Sequence, residues 1–367
     1  MTPIGTLNQI IANIPVIAED CKYWVIRTER GRYYQEYSIG GYVAINYDQI
    51  NYKDLLGANN RFDFDSIDAL IVKFYPNKKR VGLIRNQLLD FCFELKKGDI
   101  VIIPNEGSTI INIGVVSDNI VYTKDMLGAN DDCPYHKRRK INWTKEVNRL
   151  RNYKISASHL AIYNVTGESV FINRLLYDWY RVGDNYHFLV SVKSDNPIFY
   201  KELTDFSHSL INLVEDFAPE IEVDESVDTI QSKIELASPG YILLIGAGLI
   251  GLLFVVVINS FVKSKTKVSF KFGSVEFTKE SETEGLLNAV SKFISERKKE
   301  KSQSLYLDAV EKFINKHDVQ EPKDLENLLE SLEGHKKLID TTIEDAEVIE
   351  DKSKANDIKD INKNTEE

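Results

Sequence analysis

Residues 241–262, YILLIGAGLIGLLFVVVINSFV, form a run of 22 positions without a charge. As a helix this run would be about 33 Å long, enough to cross a hydrocarbon core. Ser238-Pro239-Gly240 breaks the chain before it, and Lys263, Lys265 and Lys267 follow at once. The run therefore predicts a transmembrane helix with a large region before it and a smaller one after it. Within it, Gly246, Gly248 and Gly251 spell G-x-G-x-x-G, the pattern of a dinucleotide-binding turn between strand and helix. The following LLFVVVI has no polar face, and no alternation of strands and helices continues, as such a sheet requires. In a span, Gly246, Ala247, Gly248 and Gly251 would instead offer a small-residue face for close helix approach. That face, or the C-terminal helices, would be a route to homo-oligomers.

Charge is unevenly spread. From Lys22 to Lys154 there are 22 basic and 16 acidic residues, whereas Ile155–Gly240 holds 5 basic and 14 acidic. The first region is thus suited to an anionic partner. Cys21, Cys92 and Cys133 are few, odd in number and in no metal-ligand spacing, which points to a reducing compartment. The N-terminus lacks the basic start and apolar core of a secretory signal, so the first domain is expected in the cytoplasm and the protein in the inner or plasma membrane. The lysines flanking the run argue for the opposite orientation.

The expected fold class is α+β: an N-terminal β-barrel with inserted helices, a small α/β unit, one transmembrane helix and a mainly helical C-terminal region. The boundaries read as an N-terminal extension 1–22, a barrel domain 23–154, an α/β unit 155–217, an acidic linker 218–240, the span 241–262, a strand pair with helices 263–340, and a charged, disordered tail 341–367. In the barrel domain YWVIRTE, YYQEYSI, YVAINY, DIVIIP, STIINIGVVSD and NIVYT read as strands. DFDSIDALIVKFY and RVGLIRNQLLDFCFELKKGD read as helices, with Asp63, Asp65 and Asp68 at the positive end of the first.

No catalytic pattern emerges. There is no HExxH, no CxxC pair and no nucleophile elbow, so no catalytic residue, metal or cofactor is expected and the chain does not read as an enzyme. Aromatics and bases stand out instead: Trp24, Arg27, Tyr33, Tyr34 and Tyr47 early, then His136, Arg138, Arg139 and Trp143. Aromatic faces can hold an unstacked base while Arg and Lys hold the flanking phosphates. Equally, such aromatics can be barrel core and the bases its wet face. Lys78-Lys79-Arg80 reads as a solvated loop.

The segments WVIRTERGRYYQEYSIGGYVAINYDQI, KKGDIVIIPN, INIGVVSDNIVY and HKRRKINW resemble the sensor domain that precedes Mrr-type restriction nucleases, of the EVE-type branch of the PUA superfamily. The resemblance covers about Tyr23 to Arg151, a third of the chain; Tyr47 stands where a Trp is common, and no nuclease motif follows. It implies a compact barrel that takes a flipped, modified base of DNA or RNA into an aromatic pocket. Two functions remain open from sequence. One is a membrane-linked nucleic-acid or nucleotide sensor, in a setting that resembles prokaryotic anti-phage modules. The other is a membrane-tethered protein–protein scaffold with no nucleic-acid ligand.

Overall fold

A computed structural model describes residues 2–56, 63–148, 158–194, 196–235, 240–265 and 284–320. Its helices, in chain order, are α1 (Pro3–Ala12), α2 (Tyr34–Gly40), α3 (Phe64–Phe74), α4 (Val81–Leu89), α5 (Ser169–Leu176), α6 (Tyr200–Phe217), α7 (Gly248–Lys265), α8 (Glu284–Arg297) and α9 (Lys301–Lys316). The strands are β1 (Val16–Ile17), β2 (Tyr23–Ile26), β3 (Tyr42–Ile45), β4 (Ile100–Pro104), β5 (Ile110–Val116), β6 (Lys137–Asn148), β7 (Ile162–Asn164), β8 (Trp179–Val182), β9 (Asn185–Val192), β10 (Gln231–Glu235) and β11 (Gly240–Gly246). Two compact units result: Ile17–Tyr177, and Met1–Val16 with Asp178–Glu367.

The unit Ile17–Tyr177 is a half-barrel of six strands in the order β3-β6-β5-β4-β2-β7. All pairs are antiparallel except β2 with β4, joined in parallel through the segment that carries α2, β3, α3 and α4. Strands β2 and β3, buried at every residue, and β4, buried at all but Pro104, read as continuous apolar runs because neither face meets water along their buried length. Asp63 accepts from the Ser66 N–H at the start of α3, as its position predicts. YYQEYSI is a helix and not a strand. Tyr34 and Tyr37 are its buried residues, three apart, and Gly41 closes it in the left-handed conformation. NIVYT contributes only an isolated bridge between Tyr122 and Arg138.

The other unit corrects the fold class expected from sequence. Among the described residues no helix is long and apolar enough to cross a membrane. The run 241–262 is instead divided into β11, set between β9 and β10 in a five-stranded sheet, and α7. A helix apolar all round must be buried all round, by lipid or by protein; here protein does it. Ile250, Leu252, Leu253, Val255, Val257 and Ile258 are at most 1% exposed, with α1, α6, α8, α9 and β9 packed against α7. The break falls at Gly246, whose φ of +156° suits glycine alone; a Cβ there would meet the Thr229 carbonyl oxygen at 2.5 Å. Gly251 lets the ring of Phe188 approach, and Gly248 does the same for Tyr186. The small-residue face at Gly246, Ala247, Gly248 and Gly251 thus serves packing within the unit. The single-pass topology and the membrane localisation expected for this chain fall with the span.

Boundaries move as well. Residues 1–22 are no loose extension, since Leu7 and Ile10 of α1 are fully buried in the second core. The stretch 155–217 is shared between the units: β7 and α5 belong to the half-barrel, whereas β8, β9 and α6 belong to the other unit. The acidic 218–240 carries β10 and two short turns of 3-10 helix. In 263–340, α8 and α9 are present, while residues 266–283 and 321–340, to which the rest of the expected strand pair and helices would fall, lie outside the described residues, as does the tail 341–367.

Candidate nucleic-acid interface

A half-barrel has two sheet edges, and here both contribute to one cleft of about 510 Å³. Ala44 and Ile45 come from edge strand β3; His159, Leu160 and Ala161 come from the segment entering edge strand β7. Arg27, Glu29 and Arg30 reach it from the turn after β2, and Asn46 and Tyr47 from the turn after β3. Lys78, Lys79 and Arg80, with Leu83, Ile84 and Gln87 of α4, form another wall, and Tyr135 completes the lining. Five cationic side chains therefore face one carboxylate. None of the five has an ion-pair partner among the described residues.

Local backbone geometry marks the same place. Glu29 (φ +52°), Arg30 (φ +61°) and Tyr47 (φ +74°) are half of the six non-glycine residues with positive φ among those described. Such conformations cost of order 1–2 kcal/mol each and collect where presentation of a side chain matters. The Glu29–Arg30 turn is fixed from both sides: Thr28 Oγ1 donates to the Pro104 carbonyl at 2.6 Å, and Tyr33 N–H donates to the Thr28 carbonyl at 3.0 Å. The segment at Ala161 is strapped down by Gln87, whose Oε1 accepts its N–H at 2.6 Å, and by Arg27, whose N–H donates to its carbonyl at 2.8 Å.

At the foot of that wall, Arg80 precedes α4, which has no side-chain cap and no acidic residue in its first turn. Cations near the positive end of a helix are unfavourable. Three in succession, exposed and unpaired, are an arrangement that an anion would relieve.

Of the residues singled out from sequence, Arg27 and Tyr47 line the cleft. The others build its frame. Trp24 is buried, its Nε1 donating to Asp99 Oδ2 at 3.0 Å. Tyr33 is buried edge-on to Tyr135, and Tyr34 donates to Glu146 Oε2 at 2.7 Å. Trp143 Nε1 donates to the Tyr37 carbonyl at 2.7 Å. His136 is exposed, with its backbone N–H on Asp48 Oδ1.

The basic run on β6 is a set of internal fasteners. Lys137 Nζ donates to the carbonyls of Tyr47 (2.9 Å) and Ile50 (3.1 Å), which pins the turn that presents Tyr47. Burial pulls its ammonium below the ordinary lysine value, with Asp48 opposing. Arg138, fully buried, donates to both oxygens of Asp131 and to the carbonyls of Leu127, Gly128, Cys133 and Tyr135. Burial works against its charge, but Asp131 outweighs it and the guanidinium sits above its ordinary value. Arg139 holds the carbonyls of Phe91 and Asp118. Successive residues on β6 thus secure the loops that carry the two cleft tyrosines.

The Lys78-Lys79-Arg80 run, which reads as a solvated loop, and Tyr135, which is not among the residues expected to bind a ligand, are both part of the cleft wall. The available signal was an unpaired basic tripeptide directly ahead of a helix with no acidic first turn.

The other unit holds a Ser194–His317–Glu202 chain, with Ser194 Oγ 2.9 Å from His317 Nδ1 and His317 Nε2 3.3 Å from Glu202 Oε2. The serine stands outside the small cavity that Glu202 and His317 line. The chain ties the end of α9 to the start of α6 and to the segment after β9. No group of three or more His, Cys, Asp or Glu able to hold a metal occurs among the described residues.

Neither a curated protein nor a solved structure matches this chain. Residues 22–166, which include every residue lining the cleft, match the model of a family described as a domain of unknown function (DUF8426).

Proposed function

We propose that the unit Ile17–Tyr177 binds a nucleic-acid strand in the seam of its half-barrel. A base lies against Tyr47 and Tyr135, and backbone phosphates lie on Arg27, Arg30, Lys78, Lys79 and Arg80. The observation that carries this reading is the composition of one cleft: among the described residues, five cations without an ion pair and two tyrosines, three of the lining residues being held in left-handed backbone. Cations along a groove track phosphates, and aromatic faces take bases of any identity. A volume near 510 Å³ lies within the range of ligand sites and has room for a nucleotide. The resemblance of residues 23–151 to base-binding sensor domains points the same way. The membrane-linked defence setting rested on the span and loses its ground with it.

The test uses the full chain, titrated with single- and double-stranded DNA and RNA, with and without modified cytosine, at two salt concentrations. Binding that weakens steeply with salt and by about tenfold or more in Tyr47→Ala supports the reading. Weak binding indifferent to Tyr47 is surface charge alone, and no binding at all leaves a protein-binding scaffold as the better account.

A further inference from the structure

Glu29 is out of place in a cleft built for phosphate. Among the described residues it is the single carboxylate in the lining, beside five cations. It lowers the affinity for any polyanion, and its backbone is held at φ +52°. Glu29 is itself exposed, so burial does not impose that geometry. The turn that carries it is anchored from behind by the Thr28 hydroxyl on the Pro104 carbonyl. In addition, Gly31 packs so closely on the Glu106 backbone that a side chain there would overlap it. Beside the Glu29 carboxylate stands the Tyr135 hydroxyl, which burial and then that carboxylate push above the ordinary tyrosine value. One aromatic face and one acceptor are therefore presented together.

Resting on the nucleic-acid reading above, we propose that Glu29 is the base-reading group of the cleft and selects guanine. An ionised carboxylate has two oxygens and about four acceptor sites, and donates nothing. One bond each from the neighbouring Tyr33 and Tyr135 hydroxyls would still leave both oxygens able to accept from a base. Guanine presents two adjacent donors, N1–H and the N2 amino group, which match a carboxylate in bidentate fashion. Adenine and cytosine offer a single amino group beside a ring acceptor. Uracil and thymine offer one N–H between two carbonyls that a carboxylate repels. The cost of an acid in a phosphate site is recovered only with the base that supplies both donors.

The full chain is titrated with the RNA heptamers UUUXUUU, where X is guanine, inosine (no N2 amino group), 2-aminopurine (no N1–H) or uracil. Guanine should bind tightest. Inosine and 2-aminopurine should each be weaker by about tenfold, the worth of one charge-assisted hydrogen bond, and uracil weaker still. This series needs no mutation. Glu29→Gln, which keeps size and backbone preference, should bring the four to within about threefold of one another without abolishing binding. Lys79→Ala should weaken all four by the same factor. Equal binding of the four by the unaltered protein overturns the role of Glu29 and leaves nucleic-acid binding standing, as does a ranking that Glu29→Gln preserves. Failure of every heptamer, together with failure of longer single-stranded and duplex nucleic acid at low salt, overturns both.

Discussion

Two basic tripeptides in the same unit, Lys78-Lys79-Arg80 and Lys137-Arg138-Arg139, have nearly the same composition and opposite fates. The first is exposed, unpaired and set ahead of a helix. The second is at most 4% exposed and its cationic groups are spent on backbone carbonyls and Asp131. A buried cation survives only if its donors are met, so a run that enters a strand with its loops folded over it becomes a fastener. A run in a turn keeps its charge for solvent or ligand. Local charge density does not separate the two; the availability of acceptors does.

The contrast is broken most severely at Arg138. Arg138→Leu removes the guanidinium bonds to both Asp131 oxygens and to four carbonyls, and removing one side of a buried pair costs about 3–5 kcal/mol. Denaturant unfolding should show that loss; a change below about 1 kcal/mol would mean that Arg138 does not hold the 127–135 loop. The exposed tripeptide should behave oppositely. Replacing Lys78, Lys79 and Arg80 together by alanine should weaken single-stranded nucleic-acid binding about 100-fold at low salt. It should also flatten the log–log salt slope by about 2, for three lost phosphate contacts. Its unfolding free energy should stay within about 1 kcal/mol of the unaltered protein, because no partner is lost.

How far the sequence could be read follows the same line. The α+β content of the half-barrel, β2, β3, β4 and β5, and helices α3 and α4 are legible because their apolar periods are set by local burial. YYQEYSI was not, because four tyrosine and isoleucine positions in seven residues satisfy alternation as well as a helical face. The apolar run 241–262 misled for a physical reason: a central protein helix and a membrane helix have the same composition. The glycines that divide it look alike whether they face lipid, a cofactor or Phe188. At the site, Arg27 and Tyr47 were legible as an arginine and an aromatic near the start of the domain. Trp24, Arg138 and Arg139 were not separable from them, since the groups that satisfy them lie from 3 to 75 residues away along the chain and are brought in by the fold.

Buried bases in the two units sharpen the comparison further. Arg138 keeps its charge because its acceptors surround it. His187 on β9 is buried against Tyr180, the rings stacked at 4.4 Å, and its Nδ1 has no partner among the described residues. Burial alone lowers its pKa from 6.5 to about 4. Between those values the unfolded chain binds a proton that the folded chain does not, so stability falls as pH drops through this window. The expected loss is about 2 kcal/mol between pH 7.5 and pH 5. His187→Phe, which keeps the stacking surface, should remove that share of the acid sensitivity in unfolding measured across the two pH values. An unchanged pH dependence in the variant would show that the imidazole is not buried neutral.

The smallest effect is expected at the helix start that most looks like a ligand site. The G-x-G-x-x-G glycines do lie where β11 turns into α7, as the cofactor pattern requires, but β11 runs antiparallel to both of its neighbours. The opening of the helix is already occupied: Ile250 N–H donates to Glu225 Oε2 at 2.7 Å. The chain's own carboxylate sits where a phosphate would, and it meets both the unsatisfied N–H and the positive end of the helix. Glu225→Gln keeps an acceptor and removes the charge, so it should cost about 0.5–1 kcal/mol in thermal unfolding. It should gain no stabilisation from added phosphate or a dinucleotide, because Tyr186, Phe188 and the Thr229 carbonyl crowd the glycines from the other side. Ligand-dependent stabilisation in the Gln variant would make α7 a latent anion site held shut by Glu225. Its absence leaves the open cation cluster before α4 as the proposed anion site.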